Sequence, residues 1–457
     1  MRISDLDGRQ VAIWGWGREG QAAHAAVRRR LPNQPLTLLC RPEEVAAACA
    51  VGDPLLVIET AIDGDRLAGF DVVIKSPGIS PYHEPADTAL RRGACLIGGT
   101  GLWFAENPEA RTLCVTGTKG KSTATALIAH LLRAAGLRTA LAGNIGLPLL
   151  ELLDVEPPPQ AWAIELSSFQ TCEARAPEVA VVLNLFPEHL DWHGSVQRYY
   201  ADKLALIERA RPRIAVLPAD PSMAVQVPAG VEPRWFGTGD GWHMSGQHLH
   251  RGRQKVADLA GLALPGGHNR SNVCAALTAV EAFGLDARAL VPSLFDFRAL
   301  PHRLQTLGTC GGIVCINDSI ATTPHASIAA LDTLAGQPLA VIVGGFDRGV
   351  DWTPFLTRIE QAPPLAVITH GQNGPRIHAL LDSAARAGRF RLIAAEDLVA
   401  AVAAGRGVLA GAGVLLLSPG APSFPRYRDY VERGRHFAAL CGFDPDAITA
   451  IPGLGIA

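Results

Sequence analysis

The sequence lacks an excess of charge of either sign, and it lacks a long apolar segment. Its 457 residues carry 41 basic and 43 acidic side chains, giving a formal net charge of −2. That balance excludes a general attraction to nucleic acid or to an anionic membrane, so any phosphate binding must be local. The most apolar run, residues 408–417, is about half as long as a membrane span.

Cysteine and lysine are also sparse. The nine cysteines form no CxxC pair and are odd in number, which indicates free thiols in a reducing cytosol and not a disulfide framework or a zinc site. The polar N-terminus has no apolar secretion signal, and we expect a cytoplasmic protein. In a chain so biased to arginine, a retained lysine can mark a need for a primary amine, although chance placement explains it equally well. The five lysines are Lys75, Lys119, Lys121, Lys203 and Lys255.

Short β-type segments alternate with amphipathic, alanine- and leucine-rich segments along the whole chain. This alternation is typical of α/β domains with parallel sheets. At about 150 residues per domain, the length predicts three domains. We place them at residues 1–107, 108–299 and 300–457. Most predicted strands end in Gly, Ser, Asn or Asp, at the carboxyl edge where open α/β sheets bind ligands.

The strongest local signal is a turn rich in glycine and lysine between a predicted strand and a predicted helix. Its glycines allow backbone N–H groups to face phosphate oxygens. Lys121 can reach the terminal phosphates, and the Ser122 hydroxyl can bind Mg²⁺. The turn is a short variant of the Walker pattern, because Val115 stands where the first glycine is expected. The predicted ATP-binding residues here are Gly117, Thr118, Lys119, Gly120, Lys121, Ser122 and Thr123.

A second glycine motif, Gly15-x-Gly17-x-x-Gly20, opens the chain and matches the dinucleotide fingerprint. The next predicted strand is followed by Arg41 and not by an acidic residue. A basic side chain suits a phosphate better than a ribose diol. Three interpretations therefore stay open: a nucleotide-diphosphate site, an NADP site, or a tight structural turn.

Further motifs follow the phosphate loop in order: GNIG at 143–146, ELSSFQ at 165–170, EHLD at 188–191, HNRSN at 268–272, LPHR at 300–303 and NDS at 317–319. Together with GTKGKST, this series resembles the Mur ligase family of peptidoglycan synthesis over nearly the whole chain. Within the family it is most similar to the glutamate-adding branch. The resemblance implies an N-terminal Rossmann-like UDP-binding domain, a central ATPase domain and a C-terminal Rossmann-like domain for the amino acid.

The resemblance also implies a reaction and its partners. ATP would phosphorylate the alanyl carboxylate of UDP-N-acetylmuramoyl-L-alanine, and the amine of glutamate would attack the acyl phosphate. Such chemistry needs Mg²⁺, cationic groups beside the developing negative charge, and a site closed to water. We expect no nucleic-acid partner, no membrane span and a monomer.

The resemblance implies catalytic roles for Lys121, Glu165, His189 and Lys203. The implied Mg²⁺ ligands are Ser122, Glu165, His189 and a Lys203 that CO₂ has converted to a carbamate. A carbamate forms only on an amine, so arginine could not replace Lys203. The structural alternatives are a surface carboxylate at Glu165, a packed histidine at His189 and an ordinary helix-surface lysine at Lys203.

Two further sets of residues follow from the resemblance. Asn269, Asn272, Arg303 and Asp318 would complete the ATP site. The alternatives are a capped helix start for the two asparagines and an interdomain salt bridge for Arg303 and Asp318. The predicted UDP-substrate residues are Gly17, Arg18, Glu19, Arg41, Ser76, Asn144, Ser168 and Gln170.

One departure from the family pattern bears on the amino acid. Enzymes that add D-glutamate carry D-S-K-A-T-N, whose lysine pairs with a glutamate carboxylate, whereas this chain has Ile320 at the lysine position. A buried carboxylate must be paired, so we expect the partner to lie elsewhere. The candidates are Thr322, Arg348, Ser423, Arg426 and Tyr430. A relocated pocket suits the reversed configuration of L-glutamate, which we favour slightly over D-glutamate.

Three rival functions remain. A folylpolyglutamate synthase-like ligase shares the phosphate loop but does not need a nucleotide-binding domain ahead of it. An NADP oxidoreductase built on the opening glycine motif leaves the phosphate loop unexplained. A regulator that binds ATP without catalysis would show no phosphate release that depends on a second substrate.

Overall fold

The computed structural model describes residues 1–220, 223, 225–262, 264 and 266–457. The chain divides into two compact units, which we describe separately. The first is built mainly from Met1–Leu262 and His268–Phe297, and the last residues, Gly453–Ala457, return to it. The second consists mainly of Arg298–Pro452.

The first sheet is parallel and has five strands in the order β3-β2-β1-β4-β5. The chain leaves β1 towards β2 on one side and later returns to β4 on the other, so the strand order reverses at β1. Open α/β sheets bind ligands at such a reversal. The strands are β1 Val11–Trp14, β2 Leu36–Leu39, β3 Leu56–Glu59, β4 Val72–Lys75 and β5 Cys95–Ile97. The helices are α1 Arg18–Arg30, α2 Val45–Cys49, α3 Gly64–Ala68, α4 Ala86–Arg91 and α5 Gly99–Glu106.

The second sheet contains six parallel strands in the order β11-β10-β9-β6-β8-β7. Its central strands are buried along their whole length, as expected for a parallel sheet covered on both faces. The strands are β6 Thr112–Thr116, β7 Thr139–Gly143, β8 Ala161–Glu165, β9 Val179–Val182, β10 Ile214–Pro218 and β11 Glu232–Phe236. The helices are α6 Lys121–Ala134, α7 Leu190–His193, α8 Val196–Glu208 and α9 Gly267–Ala282.

A small antiparallel sheet interrupts this unit between β11 and α9. Its three strands are β12 Trp242–Ser245, β13 His248–Arg251 and β14 Gln254–Asp258. Short 3₁₀ helices occur at Ile3–Leu6, Pro42–Glu44, Leu149–Leu152, Thr171–Glu173 and Val291–Asp296.

The second unit is built on a six-stranded sheet in the order β15-β16-β20-β17-β18-β19, in which only the first strand is antiparallel. Apolar clusters pack against both of its faces. The strands are β15 Gln305–Cys310, β16 Ile313–Asn317, β17 Leu339–Val343, β18 Ala366–Thr369, β19 Arg391–Ala394 and β20 Gly413–Leu417. The helices are α10 Pro324–Thr333, α11 Thr353–Gln361, α12 Gly374–Arg386, α13 Leu398–Leu409 and α14 Tyr430–Leu440.

The end of the chain was not predicted. A final strand, β21 Gly455–Ile456, pairs antiparallel with β7 and extends the second sheet. The backbone N–H of Thr139 also donates to the carbonyl oxygen of Ala457 at 2.7 Å. The chain therefore leaves the second unit before it ends.

The predicted fold class is confirmed: the protein is α/β, and three mostly parallel sheets carry it. The domain boundaries at 107/108 and 299/300 stay predictions. All nine cysteines are free thiols. Within the described ranges, every helix is too short or too polar to cross a bilayer.

Aromatic packing joins the first two sheets. Trp103 on α5 is fully buried, and its ring centroid lies 4.6 Å from that of Trp162 on β8. Phe104 packs against Trp103 edge-to-face at 5.1 Å. These rings belong to one apolar cluster that also contains β1 and β2 residues. The first sheet is therefore fixed to the second sheet through α5.

We expect Trp103→Ala to lower the free energy of unfolding by about 3–5 kcal/mol, because it leaves a cavity where a large ring was buried. Chemical denaturation followed by circular dichroism measures this loss. Trp235, which is 41% exposed, provides the control, and Trp235→Ala should cost much less. Equal losses in the two variants would contradict the role given to Trp103.

Candidate functional site

The phosphate loop depends on two glycines with positive φ between β6 and α6. Gly117 has φ +154° and Gly120 has φ +84°, a conformation that side chains disfavour. A Cβ atom at Gly120 would lie 2.6 Å from Asn272 Oδ1. A side chain at position 120 would therefore collide with Asn272, so the residue here must be glycine. A turn without side chains is what a backbone cradle for phosphate requires.

Asn184 fixes the loop from the end of the neighbouring strand β9. Its Oδ1 accepts from the Lys119 N–H at 2.8 Å, and its Nδ2 donates to the Lys119 carbonyl at 3.0 Å. The Thr118 N–H donates to the Asn184 carbonyl at 3.0 Å. Sequence reasoning gave this residue no role. Its position directly after a buried strand was the signal that could have found it.

Three of the five lysines meet at this loop. Lys203 on α8 is only 2% exposed, and its Nζ donates to the Gly117 carbonyl at 2.8 Å. Burial lowers the pKa of Lys203 well below its ordinary value, and the Lys121 charge acts in the same direction. Lys121 Nζ donates to the Thr118 carbonyl at 3.1 Å, and Lys119 forms an ion pair with Glu188. The loop therefore brings three amino groups together, one of them buried and one paired with a carboxylate.

Glu165 brings a buried carboxylate to the same edge of the sheet. It ends β8, opposite Val115 of β6, and is 1% exposed. Its Oε1 accepts from Asn144 Nδ2 at 2.8 Å, whereas Oε2 has no hydrogen-bond partner in the part of the chain that the structure describes. A buried oxygen without a partner is costly, and a cation or a ligand would relieve that cost.

These residues fit Mg²⁺ bound together with a nucleotide. Mg²⁺ usually retains several waters and takes one or two protein oxygens plus substrate phosphates. The open oxygen of Glu165 and the Ser122 hydroxyl, in the first turn of α6, are ligands of the right kind. The described residues contain no group of three or more His, Cys, Asp or Glu side chains that could hold a metal alone.

His189 lies beside the loop and is the N-cap residue immediately before α7, with φ +52°. Its ring centroid is 5.2 Å from that of Phe169. Partial burial lowers the pKa of His189. The positive charges of Lys121 and Lys203 also lower this pKa, whereas the negative charge of Glu188 raises it. The predicted catalytic residues are therefore close enough to influence one another electrostatically.

Ser168 and Gln170, predicted to bind substrate, are buried and bonded within the protein. Ser168 Oγ lies 3.0 Å from His193 Nε2, and His193 Nδ1 lies 2.7 Å from Asp202 Oδ2. Gln170 Nε2 donates to Thr100 Oγ1 at 3.2 Å. These bonds are supporting interactions that the motif did not predict. The buried His193–Asp202 pair was missed because it depends on how the consecutive helices α7 and α8 pack.

Asn269 and Asn272 are both buried on α9. Asn272 Nδ2 donates to Asn269 Oδ1 at 3.3 Å, and Asn272 is the side chain that faces Gly120. The structure therefore brings this pair to the phosphate loop. Their assignment to the nucleotide stays a prediction.

The opening glycine motif lies where β1 ends and α1 begins. Gly17 precedes the first residue of α1, and Arg18 Nη1 donates to the Gly146 carbonyl at 3.1 Å. A Cβ atom at Gly20 would lie 1.9 Å from the Gly15 carbonyl oxygen, so the last glycine permits close helix–strand packing. The sheet register also places Arg41 and Ser76 after β2 and β4, the strands on either side of β1. The predicted UDP-binding residues of this sheet therefore share one edge.

Glu19 is an unusual residue for a diphosphate site because it is an acid. Burial raises the pKa of Glu19 to about 7, and the negative charges of Glu173 and Glu151 add to this effect. At neutral pH, a substantial fraction of this side chain is therefore protonated and can donate a hydrogen bond.

The remaining predicted residues belong to the second unit. Burial raises the pKa of Asp318 to about 7, and its Oδ2 accepts from Ser418 Oγ at 2.7 Å. The charge of Arg303 acts on Asp318 in the opposite direction. Arg348 Nη2 donates to the Thr322 carbonyl at 3.2 Å, so two of the glutamate candidates meet. The other three, Ser423, Arg426 and Tyr430, follow β20 along the chain.

Two family descriptions match this chain. Residues 115–280 match the Mur ligase middle domain, and residues 302–421 match the Mur ligase glutamate ligase domain. A UDP-N-acetylmuramoyl-L-alanine--L-glutamate ligase from Xanthomonas campestris pv. campestris (strain 8004) is 58% identical over 468 residues, covering 100% of both chains. A ligase of the same name from Salinispora tropica is 38% identical over 453 residues, covering 96% of this chain and 98% of its own.

The chain belongs to the Mur ligase family.

Solved structures agree with this membership at the level of the fold. The UDP-N-acetylmuramate-alanine ligase MurC from Thermotoga maritima has a TM-score of 0.59 at 18% identity, covering 94% of this Mur ligase and 98% of its own chain. The MurF ligase from Thermotoga maritima in complex with ADP has a TM-score of 0.56 at 16% identity. That match covers 98% of the chain described here and 97% of the MurF chain. The predicted family resemblance is confirmed, and the chain is an ATP-dependent ligase. The assignments of individual site residues stay predictions.

Glu19 of this Mur ligase makes stability depend on pH. Its pKa is raised in the folded state, so its contribution is fully present below the ordinary pKa near 4.5 and is lost as pH rises through about 7. We expect Glu19→Gln to be more stable than the parent at pH 8 by about 1–2 kcal/mol, with little difference at pH 4. Thermal denaturation at several pH values measures this.

Glu59→Gln is a control of opposite sign, because hydrogen bonds from Arg66 lower the pKa of Glu59. That carboxylate stabilises the fold above its ordinary pKa, so the variant should lose stability at pH 8. A constant stability difference between Glu19→Gln and the parent at every pH would contradict the assignment.

Proposed function

We propose that this Mur ligase adds L-glutamate to UDP-N-acetylmuramoyl-L-alanine at the expense of ATP, in the cytoplasm. The observation that carries the reaction type is the phosphate loop, where three lysines, one of them buried, and one open carboxylate oxygen surround a backbone cradle. The relatives of 58% identity carry the name of an L-glutamate ligase over the full length of both chains, which supports this choice of substrates.

The chemistry follows from the charge around the loop. An oxygen of the alanyl carboxylate attacks the terminal phosphorus of ATP, and the bond to ADP breaks. The amine of glutamate then attacks the acyl carbon, phosphate leaves, and the amine loses a proton. Lys121, whose Nζ now bonds to a loop carbonyl, can turn to the migrating phosphoryl group. Fixed charge placed where negative charge develops lowers the barrier without costly rearrangement.

Glu165, Ser122 and His189 would hold Mg²⁺, and the metal would neutralise phosphate oxygens during transfer. Lys203 would contribute as a carbamate. Its lowered pKa favours the neutral amine, the form that reacts with CO₂. A carbamate at this position would replace the neutral amine with an anion, which could help to hold the metal. Asn269 and Asn272, together with Arg303 and Asp318, complete the proposed ATP site.

The UDP-linked substrate is proposed to bind at the carboxyl edge of the first sheet and at the end of β8. The residues proposed for it are Gly17, Arg18, Glu19, Arg41, Ser76, Asn144, Ser168 and Gln170. Ser168 and Gln170 are buried, so their hydrogen bonds to the substrate require them to exchange their present partners.

The preference for L-glutamate is supported by the residue at position 320. Ile320 offers no charge to the carboxylate that a lysine would pair in the D-glutamate enzymes. The proposed glutamate residues are Thr322, Arg348, Ser423 and Tyr430. Arg348 lies against Thr322, which gives one carboxylate of the amino acid a cationic partner.

The deciding experiment supplies purified protein with ATP, Mg²⁺, UDP-N-acetylmuramoyl-L-alanine and either enantiomer of glutamate. We expect product with L-glutamate at a kcat/KM at least tenfold above that with D-glutamate, measured by mass spectrometry and phosphate release. A preference for D-glutamate would leave the ligase assignment intact and remove the stereochemical one.

Lys121→Ala should lower kcat for ligation by at least about 10²-fold, because it removes a charged donor to the transferring phosphoryl group. Phosphate release that depends on the UDP-linked acceptor measures the loss. Lys255→Ala is the matched control, since Lys255 is an exposed lysine on β14. An undiminished rate in Lys121→Ala would refute the proposed role of the phosphate loop.

A further inference from the structure

The segment that follows β4, residues 76–83, packs against α7 of the same compact unit. Ser80 Oγ donates to the Trp192 carbonyl at 2.6 Å, and Trp192 Nε1 donates to the Pro77 carbonyl at 3.2 Å. We call residues 76–83 the acceptor segment, because it begins with Ser76, a residue proposed to bind the UDP-linked substrate. The acceptor segment of the first sheet is therefore fixed to a helix of the second.

Tyr82 extends this contact from the acceptor segment to α8. Its hydroxyl donates to Asp202 Oδ1 at 2.7 Å. The ring is also fixed in place, because its centroid lies 5.5 Å from that of Trp192 in an edge-to-face contact and 4.4 Å from the Arg198 guanidinium. Burial and the hydrogen bond to Asp202 raise the pKa of Tyr82. The phenol therefore keeps the hydrogen that it donates to the carboxylate.

Asp202 is the centre of a buried chain of hydrogen bonds. Its second oxygen, Oδ2, lies 2.7 Å from His193 Nδ1, and His193 Nε2 lies 3.0 Å from Ser168 Oγ. Asp202, His193 and Ser168 are all buried, and His193 is fully so. A carboxylate can only accept, so a neutral imidazole here carries its hydrogen on Nδ1 and accepts from the Ser168 hydroxyl at Nε2. Every hydrogen in the chain then points towards Asp202.

The chain joins the two places that are proposed to bind the UDP-linked substrate. Tyr82 belongs to the segment that begins at Ser76, whereas Ser168 lies just beyond the end of β8. Thr171 Oγ1 also donates to the Asp202 carbonyl at 2.5 Å, which ties α8 to the turn that follows Ser168. A buried polar network whose members are all bonded is rigid. The chain therefore fixes the position of one substrate segment relative to the other.

We propose that Tyr82, Asp202 and His193 are positioning residues, which hold the acceptor segment and the end of β8 together so that both bind the same UDP-N-acetylmuramoyl-L-alanine molecule. This inference rests on the proposed function. The three residues act through Ser76 and Ser168 and not on the reacting atoms. Their loss therefore weakens binding of the UDP-linked acceptor more than binding of ATP, which depends on the phosphate loop.

The test begins with Tyr82→Phe in the full-length protein, because this change keeps the ring and removes only the hydroxyl. We expect the Kd for UDP-N-acetylmuramoyl-L-alanine, measured by isothermal titration calorimetry, to rise at least about fivefold, since a hydrogen bond to a carboxylate is lost. The KM for this acceptor should rise with it, whereas the KM for ATP should stay within about twofold of the parent. Tyr82 is only partly buried, so the variant is expected to fold, and thermal denaturation checks this.

A double-mutant cycle with Asp202→Asn separates positioning from stability. Residues that act through one network are not additive. In the Asp202→Asn background, Tyr82→Phe should therefore change the acceptor Kd by less than about twofold, because the carboxylate through which Tyr82 acts is already lost. A purely stabilising role would lower the melting temperature of Tyr82→Phe and leave its acceptor Kd unchanged, which would overturn the inference.

Tyr200→Phe is the matched control, since Tyr200 lies on α8 two residues before Asp202 and its hydroxyl takes no part in the chain. A Tyr82→Phe protein whose acceptor Kd stays within about twofold of that of Tyr200→Phe would overturn the inference. So would an equal rise in the KM values for ATP and the acceptor, or an undiminished effect of Tyr82→Phe in the Asp202→Asn background. A parent protein that does not bind the UDP-linked acceptor would instead refute the proposed function, and the inference with it.

Discussion

The candidate site depends on ionisable groups that the protein buries without a full set of partners. At the phosphate loop, Lys203 Nζ donates to a carbonyl oxygen and lies 5.1 Å from the centroid of the Tyr199 ring, and one oxygen of Glu165 has no hydrogen-bond partner in the described ranges. Buried charge is unfavourable unless it is paired. The large apolar clusters of the first unit offset this cost and keep the groups in place. Binding of a ligand or a cation can then recover part of the cost.

Parallel sheet geometry explains how distant residues reach these places. Strands β6, β8 and β9 run side by side, so the segments that follow them emerge at one edge. That edge brings together Gly117, Glu165 and Asn184 although nearly 70 residues separate the first from the last. The first sheet uses the same arrangement for Gly17, Arg41 and Ser76. A single topological rule therefore creates, several times in one chain, the kind of edge at which open α/β sheets bind ligands.

Sequence reasoning worked where the signal is local. Buried apolar runs and a glycine turn before a helix identified the strands and the phosphate loop, since both depend on neighbouring residues. It failed for β21, whose two residues have no strand pattern and pair only because β7 offers an edge. It also missed the His193–Asp202 pair, which depends on how α7 and α8 pack. A motif names Ser168 and Gln170, but it does not reveal whether such side chains face a ligand or support a neighbour.

The same limit applies to the change at position 320. Read alone, the loss of a lysine is the loss of a cation from a carboxylate site. In three dimensions, Ser319 accepts two hydrogen bonds from Arg433, so the segment that lacks the lysine holds a guanidinium from α14 instead. A binding site can therefore receive its charge from a residue that is distant in sequence but close in space. A site can therefore keep its electrostatic character while the direction of the charge changes, and direction is what distinguishes one enantiomer of an amino acid from the other.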